Sequence, residues 1–144
     1  MGLQSVRTEV LEAAARAAER LASDHRVRLV YLFGSAASGE RRDPRDIDIA
    51  VWTDPPFTLE DLMRCRADLV LDTKVPLDLV SLSDASIVLA HEIVEGWRCL
   101  YARDSDIEAE VVTRSRMRYW DFKPYRDEQW RLTRQRLEER LVGS

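Results

Sequence analysis

The chain is poor in the residues that would set it apart from ordinary globular proteins. Its two cysteines, Cys65 and Cys99, are far apart and show no metal-ligand spacing. No disulfide framework or cysteine metal site is expected, and a reducing, cytoplasmic compartment is the default. Five glycines and five prolines in 144 residues exclude collagen-like and low-complexity chains. No uncharged apolar run approaches the ~20 residues of a membrane span, so none is expected. The first eleven residues carry Glu9 and no continuous apolar stretch, so a secretory leader is not expected either. Lysine is scarce: Lys74 and Lys123 are the two among 22 basic residues.

What is present is a globular balance, 45% hydrophobic and 33% charged. The length suits one compact domain that buries its own core without staples. A net charge of -4 argues against a general nucleic-acid binder. The charge is uneven. From Thr113 to Ser144 nine basic residues stand against five acidic ones, a net of +4, which leaves -8 for residues 1–112. Arginine favours bidentate contacts with carboxylates and phosphates. That end is either a solvated helix face or a surface for a partner.

Periodicity gives the elements. Leu3, Val6, Val10, Ala13, Ala14, Ala17 and Leu21 form one stripe, which predicts a helix over 3–23. Arg26 to Phe33 reads as a strand buried toward its end, and Gly34 to Arg45 as a polar loop. Asp46 to Trp52 alternates as a second strand. Thr58 caps a helix over 59–71. Pro76 to Leu82 is a third strand, and Ser83 caps a helix to Glu95 that Gly96 ends. Trp97 to Tyr101 is a fourth strand. Residues from Asp104 are helical, with a break near Pro124 and a last helix to Arg140. The expected fold is α/β (α+β): a mixed four-stranded sheet packed against helices, residues 1–105, with a C-terminal helical extension over 106–144.

One constellation carries chemistry. Asp46 and Asp48 are two apart on a strand and so share a face. Carboxylates held side by side repel, and a cation relieves the cost. Hard oxygen ligands suit Mg²⁺, which takes one or two carboxylates plus substrate phosphates. Gly34 and Ser35, at the end of the preceding strand, offer close backbone approach, amides and a hydroxyl to phosphate oxygens. Asp78 sits among apolar neighbours, where an unpaired buried carboxylate would be costly. If its strand lies beside the second strand, all three acids converge, the outline of a two-metal phosphoryl-transfer site. The alternative is structural: Asp46 opens the strand, Asp48 faces water and Asp78 pairs with an arginine.

Gly34, Ser35, Ala37, Gly39, Asp46 and Asp48 together resemble the G-S-x-A-x-G…D-x-D signature of the minimal nucleotidyltransferases of the DNA polymerase β superfamily. Asp78 stands where that superfamily has its third acid. The size and the segment Gly96 to Tyr101 resemble the MntA-like antitoxins of HEPN/MNT toxin–antitoxin pairs. The chain departs from the pattern at Arg45, where serine is common, and at Ala36 and Ser38, where arginine is common. Arg41, Arg42 or Arg45 then supplies the basic charge of the loop.

The resemblance implies transfer of AMP from ATP, with Mg²⁺, to a tyrosine of a HEPN-family RNase toxin encoded nearby. In that scheme Asp46, Asp48 and Asp78 are catalytic and hold metal, and Gly34, Ser35 and Arg45 bind nucleotide. Two other activities remain open: an antitoxin acting by contact alone, and a small-molecule nucleotidyltransferase of the aminoglycoside-modifying kind. No membrane and no direct nucleic-acid partner are implied. Arg20 and His25 match the R-x4-H spacing of HEPN RNases, but Val27 replaces the tyrosine that would follow, and the match is read as chance. His91 reads as a half-buried structural histidine. Trp120, Phe122, Tyr125 and Trp130 lie among the C-terminal arginines and suit either a core or a partner surface. Trp52 is expected to pack under the second strand.

Overall fold

The computed structural model describes residues 3–33, 47–96 and 98–142, with side chains from residue 8 onward. Among these residues the order is α1 (Leu3–Ala22), β1 (Val27–Phe33), β2 (Ile47–Thr53), α2 (Leu59–Thr73), β3 (Leu77–Ser81), α3 (Ile87–Glu95), β4 (Arg98–Ala102) and α4 (Ser105–Val142). The strands form one mixed sheet in the order β3-β2-β1-β4. β1 runs antiparallel to β2 and β4, and β2 runs parallel to β3.

β1 is central, and its sequence fits a strand covered on both faces. Val27, Leu29, Val30, Tyr31 and Leu32 are all buried. A bulge between Val27 and Leu29 shifts the pleat. Val27 therefore joins Val30 and Leu32 on one face, while Leu29 and Tyr31 take the other. Simple alternation from Val27 to Phe33 does not foresee that switch.

The first face packs on α1 and α2. Ala13, Ala14, Ala17 and Ala18 let α1 approach Ile49, Val51 and Leu79 closely. The second face packs Leu29, Tyr31 and Ala50 against Ala90 and Ile93 of α3 and Val111 of α4. No helix among the described residues is long and apolar enough to cross a membrane.

The cap at α2 is as expected. Thr58 accepts from the Asp61 amide at 3.1 Å and Asp61 returns the bond to the Thr58 amide at 3.0 Å, closing a capping box. Three expectations are corrected. Ser83 does not cap α3: its hydroxyl lies 3.0 Å from that of Ser81 in a turn, and Ser86 caps instead, accepting from the Leu89 amide at 3.1 Å. Gly96 does end α3, but at φ −113 rather than in the left-handed region, so it uses none of glycine's freedom. The left-handed cap belongs to Lys74, φ 59, at the end of α2.

The third correction concerns Pro124. The helix does not break there but runs unbroken through Val142. Proline removes the amide that would bond the Trp120 carbonyl. That turn is exposed, with Trp120 65% accessible, so water can take the bond.

Candidate active site

β2 and β3 are held in parallel register by a ladder that pairs Ile47 with Leu77, Asp48 with Asp78, and Ile49 with Leu79. The isoleucines and leucines point into the core on the α1 and α2 side. Alternation then sends Asp48 and Asp78 to the opposite face, where Ala50 and Trp52 also point. Neighbouring strands lie about 4.8 Å apart, so the two residues stand side by side on that face. On the other flank Asp48 is paired with Phe33, the last residue of β1.

The two acids differ in setting. Asp48 is half-buried in the second strand of the sheet. The Asp78 side chain is 72% exposed, because β3 is an edge strand and this face is open beside it. Its apolar neighbours Leu77 and Leu79 point inward and the pleat turns Asp78 out, so the cost of an unpaired buried carboxylate does not arise.

Arg66 of α2 reaches it, with Nη2 3.6 Å from Oδ1. Nothing in the spacing of the sequence singles out Arg66, twelve residues before Asp78 on a helix across the strand edge. Both readings of Asp78 thus hold in geometry: it adjoins Asp48 and has an arginine partner.

Gly34, Ser35, Arg45 and Asp46 lie outside the described residues. Gly34 and Ser35 follow β1 directly in the chain, and Asp46 immediately precedes β2. Trp97 also lies outside them. The described part of the site is therefore an all-oxygen pair, which fits a hard divalent cation completed by substrate phosphates.

The other singled-out residues do not join it. His91 is half-buried and stacks on Tyr119 of α4, with ring centroids 3.6 Å apart and planes at 9°. Its Nε2 lies 3.8 Å from Glu95, which accepts from Arg116 Nε at 2.7 Å. That hydrogen bond holds the Glu95 carboxyl below its ordinary range. Together these contacts fasten α3 to the first part of α4.

Trp52 is half-buried with the Arg114 guanidinium 5.8 Å from its ring. Arg20 pairs with Asp72 at 3.6 Å, and His25 is exposed with its carbonyl accepting from Arg103, so Arg20 and His25 form no shared site. Burial pushes the thiols of Cys65 and Cys99 up, which makes both poor nucleophiles.

Comparison with known proteins bears on this arrangement. The protein adenylyltransferase MntA of Shewanella oneidensis strain MR-1 is 36% identical over 91 residues, 60% of this chain and 63% of that relative. The match thus spans less than two thirds of the relative's length. A chain of a toxin–antitoxin crystal structure with AMP-PNP superposes with a TM-score of 0.74 at 23% identity, covering 83% of this chain and 97% of the other. A chain from the complex of tri-AMPylated Shewanella oneidensis HEPN toxin with MNT antitoxin gives 0.61 at 22%, covering 83% and 98%. At those identities the likeness is one of fold. Residues 16–106, from α1 through β4, match the polymerase beta nucleotidyltransferase family, and the chain belongs to it.

Proposed function

We propose that this protein is an antitoxin adenylyltransferase, which moves AMP from ATP onto a tyrosine of a HEPN-family RNase toxin encoded nearby and so silences it. The observation that carries the reading is the in-register pairing of Asp48 with Asp78 on one open face of the sheet. Two carboxylates at adjacent, in-register positions on an open face suit a shared divalent cation completed by substrate phosphates. The likeness to MntA and to chains of toxin–antitoxin complexes supports the choice of nucleotide and of partner.

In this reading Asp46, Asp48 and Asp78 hold Mg²⁺, which when bound neutralises the triphosphate and the developing charge. Gly34 and Ser35 hold the β- and γ-phosphates, and Arg45 adds a positive charge to that loop. Asp78 also helps to take the proton from the tyrosine hydroxyl, whose oxygen attacks the α-phosphorus as pyrophosphate leaves. The chain's work is to position and to neutralise charge. The arginine-rich α4 with its exposed aromatics is the surface that holds the toxin.

The test is intact-mass spectrometry of the neighbouring HEPN-family protein after incubation with this protein, ATP and Mg²⁺, beside an Asp48→Ala control. The expected result is a gain of one or more AMP units that the control lacks. A stable complex without mass gain would replace the enzyme with a contact antitoxin. Neither gain nor complex would remove the toxin–antitoxin reading.

A further inference from the structure

Arg66 makes two contacts at the free edge of β3. The Pro76 carbonyl accepts from the Ile47 amide in β2, so the next carbonyl, of Leu77, faces outward along the edge. Arg66 Nε donates to that carbonyl at 2.9 Å. The hydrogen bond anchors the guanidinium on the backbone and leaves Nη2 3.6 Å from Asp78 Oδ1. The firm attachment is therefore to the strand, and the charge is held loosely beside the carboxylate. Both side chains are largely exposed, 54% and 72%, so the ionic contact can open without disturbing the edge.

We propose that Arg66 tunes the affinity for metal by acting through Asp78. Its guanidinium is a built-in counter-cation for Asp78 and competes with the divalent ion for that carboxylate. The inference rests on Asp78 being a metal ligand, as proposed above. A guanidinium is charged at every working pH, so this competition is permanent and sets the affinity for metal rather than switching it. The β-ladder, not Arg66, fixes the Asp78 backbone, so removing the charge leaves the carboxylate in place.

The experiment is a direct binding titration of Mn²⁺ alone into the full chain, followed by calorimetry and by the paramagnetic resonance of free Mn²⁺. Arg66→Met is expected to tighten Mn²⁺ binding about twofold to fivefold, the scale of an exposed ion pair. Arg66→Lys restores the charge and returns the affinity toward that of the parent. Arg66→Gln keeps a donor for the Leu77 carbonyl, guards against a frayed edge, and gives the same tightening as methionine. In an Asp78→Asn background Arg66→Met has no effect.

Unchanged or weaker binding by both uncharged variants, with Asp78→Asn itself weakened, would overturn the counter-cation and leave Asp78 a ligand. Parent-like binding by Asp78→Asn would instead overturn the metal role of Asp78, and this inference with it.

Discussion

Asp48 and Asp78 face one another across a parallel ladder with one arginine at the outer acid. Like charges directly opposite each other in a sheet are destabilising. Asp48→Asn is expected to leave the metal-free fold within about 1 kcal/mol of the parent, while abolishing the proposed AMP transfer. Thermal melts with and without Mg²⁺ check both halves: the parent melts higher with the ion, and the variant does not respond. The Arg26 guanidinium donates to Asp24 at 2.8 Å and 3.1 Å, and those side-chain bonds hold the Asp24 carboxyl below its ordinary 3.8. A carboxyl depressed by folding contributes stability that is full above its unfolded value and lost as pH falls through the folded one. Asp24→Asn should thus be less stable than the parent at pH 7, and the gap should close as pH drops below about 3.8. Chemical denaturation at a series of pH values reads it.

At the scale of elements, the sheet and helices were legible wherever a period or a cap was strong. The helix of α1, the alternation from Ile47 to Trp52 and the cap at Thr58 all appear as expected. Which strand lies beside which was not legible, because register is set by packing on both faces; that ladder is what brings Asp78 to Asp48. The Arg66 contact was illegible for the same reason, since it crosses between elements. The apolar flanks of Asp78 mark inward neighbours on either side, and the pleat turns the residue between them outward. Pro124 misled because propensity weighs a helix interior without knowing that water can serve the freed carbonyl. That position makes a prediction. Pro124→Ala restores an amide and removes a residue that costs up to about 3 kcal/mol in a helix interior. Past Phe122 the described side chains of α4 are exposed except for Leu132, which is half-buried, so the gain is local. Amide exchange around residues 120–128 should slow several-fold, while the denaturation midpoint of the whole domain shifts little.

Across the whole molecule, an acidic body carries a long arginine-rich helix. α4 has 38 residues, about 57 Å at 1.5 Å per residue. Its buried residues are Val111 and Ser115, both in the first third, where α3 and the sheet hold it. Farther on, Trp120, Trp130, Leu137 and Leu141 are mostly exposed. Trp130, Leu137 and Leu141 recur at seven and four residues, so they share one helix face, with Arg134 between them. Apolar side chains on a face with no core beneath them mark a surface for another molecule. Tryptophan with arginine is the pairing that dominates such surfaces. Replacing Trp130 and Leu137 together by alanine removes nothing from the folded core, so the free energy of unfolding should stay within about 0.5 kcal/mol of the parent. Affinity for the proposed HEPN-family partner, measured by calorimetry, should fall tenfold or more. Binding by the parent should also weaken from low to high salt, because the surrounding arginines act through screened charge. A variant that loses stability but keeps its partner would mean that this face packs on its own chain, and the docking surface would then have to lie on the sheet side of the molecule.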